Sequence, residues 1–257
     1  MMNRYDFTKQ PSILIQGAMG IETDYLIERL ADSKCVNVGN WKFYTGFLGK
    51  YNEPAIISRT YQGMVNASAA TSLALTYFNP KIVINQGIGG GHDPKFHKRD
   101  LVIGERVVPM GAIIRGFSEE GAGINEKDFV AKTIEVFNSK TGKTEKVYEF
   151  PCDKELVSVA ETVESSCLVA KGTIGSADEW NNQIDRIALL RERYHTAVED
   201  METAAAAQIC LSYGVPFIGI RIISNSIVNG EEFDRTIGLD GQKFIESYVE
   251  ALNKLYQ

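Results

Sequence analysis

The chain has 257 residues, enough for one large α/β unit, and its 44% hydrophobic and 23% charged residues match ordinary globular usage, which sets aside disordered and fibrous classes. Its formal charge of −6 supplies no basic face for a nucleic-acid backbone, so small ligands are the better expectation. The N-terminal stretch MMNRYDFTKQPSILIQ lacks a signal-peptide layout, and no apolar run reaches the roughly 20 residues that span a bilayer; a cytoplasmic protein with no membrane or nucleic-acid partner is expected. Four cysteines without CxxC spacing and three histidines without HxxxH spacing argue for buried free thiols and no metal site.

In chain order, Ser12 to Gln16 reads as a buried strand, Gly17-Ala18-Met19-Gly20 as a tight turn, and Glu22 to Leu30 as a helix. The turn has neither the GxGxxG nor the GxxxxGK[ST] pattern, so it announces no dinucleotide or nucleotide-phosphate loop. Glu22 at a helix start has a sufficient structural explanation in the helix dipole. Trp41 to Leu48 and Ala55 to Thr60 are expected to pair as a hairpin, and Val65 to Tyr77 to form a helix of small residues that lies close to a sheet. The Asn66-Ala67-Ser68 sequon is read as chance. Lys81 to Gln86 is a strand feeding Gly87-Ile88-Gly89-Gly90-Gly91, where absent side chains let backbone approach a ligand or simply form a bulge. Leu101 to Val108 is a further strand.

Between Gly111 and Phe150 the pattern weakens. Arg115 to Gly123 reads as a mobile loop, and Thr133 to Phe137 with Lys146 to Phe150 as a second hairpin. Gly142-Lys143-Thr144 has the tail of a phosphate loop without its first glycine. Asp153 caps a helix to about Val163, Cys167 to Ile174 is a buried strand, and Trp180 just beyond it is expected to fill core. Asn181 to Arg193 is read as a helix with Ile184, Leu189 and Leu190 inside, and Asp240 to Tyr256 as the closing helix, with Phe244, Tyr248, Leu252 and Leu255 on its apolar face.

The stretch AVEDMETAAAAQICLSYGVPFIGIRIISNS, from Ala197 to Ser226, carries the densest chemistry: Glu199, Asp200 and Glu202 at a strand end, a small-residue helix, then a strand from Pro216 to Ile223 stopping at Ser224-Asn225. Arg221 inside that strand needs an acidic partner, Asp200 or Glu199, because a lone buried guanidinium is costly. Glu199 is expected to be structural or solvent-facing, and Ser224 to cap a turn or hold residue 225. Strands alternating with helices imply an α/β three-layer sandwich, a central mixed β-sheet flanked by helices, spanning residues 1–257 as one domain. Polar loops after Gly17, Gly87, Gly175 and Ser224 converge on its carboxyl edge.

Five segments together resemble the nucleoside phosphorylase superfamily, most closely its hydrolytic branch, the 5'-methylthioadenosine/S-adenosylhomocysteine nucleosidases. They are Gly17-Ala18-Met19 with Glu22, Gly63-Met64-Val65-Asn66-Ala67, Asn85-Gln86-Gly87-Ile88-Gly89-Gly90, Val198-Glu199-Asp200-Met201-Glu202 and Arg221-Ile222-Ile223-Ser224-Asn225. The resemblance implies a nucleoside phosphorylase-like fold, cleavage of a purine N-glycosidic bond, no metal or organic cofactor, and a homodimer whose neighbouring copy closes the 5' end of the site, with the Arg115 to Gly123 loop as part of that closure or as a lid. It makes Glu22 the carboxylate that orients and deprotonates water. It makes Met201 and Glu202 the ribose contacts, puts Trp180 near the base, and adds Ala18, Gly89, Gly90, Asp200 and Ser224 around the substrate. Asn225 stands where the family commonly has the Asp that protonates purine N7. An amide transfers no proton but can donate to N7 and either donate to a 6-oxo group or accept from a 6-amino group, which predicts a slow enzyme or a different base. The residues themselves favour water over phosphate as nucleophile, because Gly17 to Gly20 holds no Arg or Lys and Glu22 is anionic. Two alternatives stand beside the leading reading: a 6-oxopurine nucleosidase or phosphorylase, and a catalytically weakened nucleoside-binding protein.

Overall fold

Runs of β-branched and aliphatic residues set the strands that end at the site. Ile13–Gly17 (β1) and Phe217–Asn225 (β14) are buried at every position, the signature of strands covered on both faces. The computed structural model describes residues 5–255. Between these two strands come α1 (Gly20–Arg29), β2 (Ala31–Val38), β3 (Trp41–Leu48), β4 (Glu53–Arg59), α2 (Met64–Phe78), β5 (Ile82–Gly91) and β6 (Leu101–Pro109). Then follow β7 (Ile113–Arg115), β8 (Phe129–Ala131), β9 (Ile134–Asn138), β10 (Lys143–Val147), β11 (Phe150–Pro151), α3 (Lys154–Ala160) and β12 (Val169–Ser176). The last are α4 (Ile184–Tyr194), β13 (Thr196–Asp200), α5 (Thr203–Tyr213) and, after β14, α6 (Gly238–Leu255).

The three-layer arrangement holds, with α2 packed on α5 over the sheet and α1 and α3 packed on α6. Alanines at 67, 70, 74, 204, 206 and 207 are buried, so α2 and α5 approach closely, as small residues allow. On α6, Phe244, Tyr248 and Leu252 are buried as the apolar stripe requires, and the Tyr248 hydroxyl donates to the Leu156 carbonyl at 2.8 Å. The sheet is not open along its whole width. Its strands run β11-β6-β12-β13-β5-β1-β4-β3-β2, but β14 bonds to both β5 and β6. Strands β5, β14, β6, β12 and β13 therefore close into a ring. Register shifts at Gly172/Thr173 and Ile223/Asn225 mark where strands bend to close it.

Other expectations need correction. Ala31–Val38 is a strand, hidden by its polar sequence; it is an exposed edge paired only with β3, where polar residues guard against unwanted pairing. The second hairpin pairs β9 with Lys143–Val147, and Phe150 instead joins β11 against β6. Strand β12 runs two residues further than expected, to Ser176. Ile184 is exposed as the first residue of α4, and Ile187 takes the buried position. Of the cysteines, Cys152 and Cys210 are buried, Cys167 is half-buried and Cys35 is exposed on the edge strand. Among the described residues no helix is long and apolar enough to cross a membrane. The expectation at Tyr256 lies outside the described residues.

Candidate active site

The ring decides where the site lies. Strands β5 and β13 meet antiparallel only through their last residues, Val198 opposite Gly91 and Glu199 opposite Gly90. On the other side of β5, parallel β14 puts Asn225 opposite Gly90. Three strand ends thus deliver side chains to one place, together with the turn after β1. The result is a cleft of about 520 Å³ walled by Ala18, Met19, Glu22, Gln62, Ile88, Gly89, Gly90, Glu179, Trp180, Glu199, Asp200, Met201, Glu202, Ser224, Asn225 and Phe233. All ten residues singled out from the sequence line it.

Glu22 occupies the first turn of α1 and is 4% exposed. One carboxylate oxygen accepts from the amides of Ala18 at 2.7 Å and Met19 at 2.9 Å, and the other from Ile88 at 2.9 Å. Burial nonetheless raises its pKa above the usual carboxylate value, outweighing the Arg221 charge and the three amides. The space for this carboxylate comes from Gly87. A Cβ there would collide with Glu22 Oε1 and stand 2.9 Å from Cδ.

Glu202 is the N-cap residue just before α5 and accepts from the Gly63 amide at 2.8 Å through one oxygen. Its pKa is pushed up to about 8, first by burial and then by the neighbouring charges of Asp200 and Glu22. Asp200 has its oxygens turned inward. They accept from Ser176 Oγ at 2.6 Å, from the amides of Glu202 and Thr203 at 3.1 Å and from the Thr203 hydroxyl, and one lies 2.8 Å from Arg221 Nε. The rest of the Arg221 guanidinium donates to Asn85 and to the Ile220 carbonyl. The pair is therefore scaffold that fixes the turn between β13 and α5, as the buried-arginine argument anticipates. Ser224 Oγ lies 3.0 Å from Asn225 Oδ1 and 3.2 Å from the Gly89 carbonyl, so it orients the amide.

One expectation fails here, and for Glu199 the structural alternative holds over the solvent-facing one. Trp180 does not fill core: it is 56% exposed at the cleft rim, edge-on to Phe233 and donating to Asn182 Oδ1 at 3.0 Å. Glu199 does not face solvent. It is 8% exposed, accepts from the Asn181 amide at 2.9 Å and from Asn181 Nδ2 at 2.5 Å, and lies 3.2 Å from His92 Nε2. Sequence reasoning also missed Gln62, Glu179, His92 and Phe233. An aromatic within the otherwise polar Asn229 to Gly238 loop was the one signal for Phe233.

A model of the phosphorylase superfamily matches residues 12–256. A 5'-methylthioadenosine/S-adenosylhomocysteine nucleosidase of Anoxybacillus flavithermus is 30% identical over 253 residues, covering 95% of this chain and 100% of that one. The chain belongs to this nucleosidase family within the phosphorylase superfamily. A second nucleosidase of that name, from Staphylococcus haemolyticus, is 30% identical over 94% of this chain and 98% of its own. Solved structures share the family fold. The Neisseria meningitidis nucleosidase, in complex with methylthio-immucillin-A, has a TM-score of 0.75 at 24% identity, with 94% of this chain and 100% of that one covered. The futalosine hydrolase of Helicobacter pylori has a TM-score of 0.74 at 22% identity, with 93% and 97% covered. The nucleosidase-family fold thus carries, in this chain, a cleft lined by four of the five segments that suggested it, while the fifth reaches it through the Gly63 amide on Glu202.

Proposed function

We propose that the protein hydrolyses the N-glycosidic bond of a purine ribonucleoside, with Glu22 activating water, Glu202 and Met201 gripping the ribose, and Asn225 meeting the base. One observation carries the choice of water. Among the described residues the cleft is lined by five carboxylates, Glu22, Glu179, Glu199, Asp200 and Glu202, and by no lysine, arginine or histidine. Even with Asp200 paired to Arg221 and the pKa of Glu202 raised, that wall offers a phosphate dianion no cationic donor, whereas a sugar acquiring positive charge at C1' is stabilised by its carboxylates. Raising the Glu22 pKa brings a carboxylate closer to the basicity a general base needs at neutral pH. Among the described residues no donor meets the second oxygen of Glu202, which is left for a ribose hydroxyl.

The 5'-methylthioadenosine and S-adenosylhomocysteine named for the relatives are the first substrates to try. A second reading, a 6-oxopurine nucleoside, is favoured by Asn225. Its amide N–H can donate to N7 or to a 6-oxo oxygen but transfers no proton, and general acid catalysis is worth roughly 10²–10⁴-fold. Base release from methylthioadenosine, adenosylhomocysteine and inosine, with and without phosphate, tests the reading. Release without phosphate dependence is expected, falling about 10²-fold or more in Glu22→Gln. No release from any of the three would remove the enzymatic claim. Asn225→Asp is expected to accelerate cleavage of 6-amino substrates, and an unchanged rate would refute the role given to residue 225.

A further inference from the structure

Two consecutive amides at the start of α2 meet carboxylates from two other parts of the chain. The Gly63 N–H donates to Glu202 Oε1 and the Met64 N–H donates to Asp178 Oδ1, each at 2.8 Å. Glu202 precedes α5 and Asp178 follows β12, so the start of α2 is held from two directions.

A helix begins with four backbone N–H groups that have no partner within it. Helix α2 supplies none of the usual remedies itself: Gly63, its N-cap, has no side chain, and its first turn contains no acidic residue. Its first fully buried residue is Ala67, with Met64 half-buried against the core, so packing alone fixes the residues before Ala67 weakly. The missing cap comes from Asp178, in the loop between β12 and α4. Gly63 makes room for it. The backbone there has a φ of +96°, which residues with a side chain rarely adopt, and a Cβ would stand 3.1 Å from Asp178 Oδ1. The contact also joins two walls of the cleft, since Gln62 lies just before Gly63, and Glu179 and Trp180 lie just after Asp178.

We infer that Asp178 is a positioning residue: by capping α2 from outside the helix it keeps the Gly63 amide on Oε1 of Glu202 and so leaves Oε2 for the ligand. This rests on the proposed ribose contact of Glu202 and adds the residue that holds that contact in place. Glu202 faces Asp200 and Glu22, whose charges raise its pKa, and Arg221 and the Gly63 amide, which favour the carboxylate. Losing the Gly63 bond removes a donor from the charged form, so the pKa rises further. Were Asp178 only a nearby negative charge, its removal would act in the opposite direction, which separates capping from a field effect.

The test titrates Glu202 in the ligand-free full chain by carbon NMR of labelled glutamate carboxyls, with its resonance assigned by absence in Glu202→Gln. Asp178→Ala is expected to raise the midpoint by about one unit, the worth of one hydrogen bond to a charged group. Asp178→Asn keeps an acceptor and should stay close to the wild-type midpoint. Met64→Pro removes the donor instead, at the first helical position, where proline is accommodated, and should raise the midpoint even if Asp178→Ala does not fold. An unchanged or lowered midpoint in Asp178→Ala or in Met64→Pro overturns the inference, as does a rise in Asp178→Asn equal to that in Asp178→Ala. In turnover, Asp178→Ala is expected to raise KM about tenfold and to change kcat far less, with Asp178→Asn restoring KM. A merely structural role would lower the melting temperature and leave the Glu202 midpoint and KM alone. If no nucleoside releases base, hydrolysis is what fails, and the titration, which needs no ligand, still decides for or against Asp178.

Discussion

Glu202 meets two conflicting demands. If Glu202 grips the ribose as proposed, the hydroxyl needs an ionised acceptor, yet burial beside Asp200 and Glu22 pushes the pKa of Glu202 up to about 8. At pH 7 the group is mostly protonated, so binding a ligand with both ribose hydroxyls is expected to expel a proton. Calorimetry of a nucleoside analogue in buffers of different ionisation enthalpy checks this: release approaching one proton at pH 7, vanishing above about pH 9 and absent in Glu202→Gln. A 2',3'-dideoxy analogue that released as many protons would show that Glu202 does not meet the ribose. The two glutamates three residues apart show what one sequence can and cannot reveal. Glu202 was legible through its place after Met201 in a recognisable segment. Glu199 was not, because its burial depends on Gly90, His92 and Asn181, partners brought in by other strands and loops. Trp180 misled for a related reason: a large aromatic usually fills core, but here the strand before it ends at the cleft rim.

At the scale of elements, β5 serves as both ring member and site wall. It touches β1, β13 and β14, and its glycines leave room that side chains from other elements occupy. Gly87 makes this testable, since its backbone lies in an ordinary strand and only its missing side chain matters. Gly87→Ala is expected to displace the Glu22 carboxylate and reduce kcat about 10²-fold, while circular dichroism keeps the native spectrum. Retained activity would mean that Glu22 does not act from this position. Strand and helix order was readable along most of the chain because buried β-branched runs, Asp153 as a cap and the amphipathic stripe of α6 are local signals. Ring closure was not, because nothing in the composition of β14 says that it bonds to β6 as well as β5. Strand β2 was missed because an exposed edge has no apolar face to show.

Over the whole molecule, the buried carboxylates set the response to pH. Glu22 and Glu202 both have folded-state pKa values above the ordinary 4.5, so below that value they are protonated folded or unfolded. As pH rises from about 4.5 through about 8, the unfolded chain loses these protons first and stability falls. Asp6, Glu145 and Asp234 have lowered values and act in the opposite sense, but only below the ordinary carboxylate range. The melting temperature of the ligand-free protein is therefore expected to fall between pH 5.5 and pH 8, and Glu202→Gln to flatten the slope. A wild-type curve that is level or rising across this window would contradict the buried, raised carboxylates.

The ring has a kinetic consequence. Its closing strand is the last in the chain, and β14 pairs Phe217 with Val83 and Asn225 with Gly90 across more than 130 residues. Contacts of such long sequence separation form slowly, because the loop entropy is lost before the pairing compensates it. The same strand carries Ser224 and Asn225, so a nascent chain released before β14 has neither a closed ring nor two of the residues that wall the cleft. Partly made copies thus lack one wall of the cleft, and a ligand that needs that wall can favour only the finished fold.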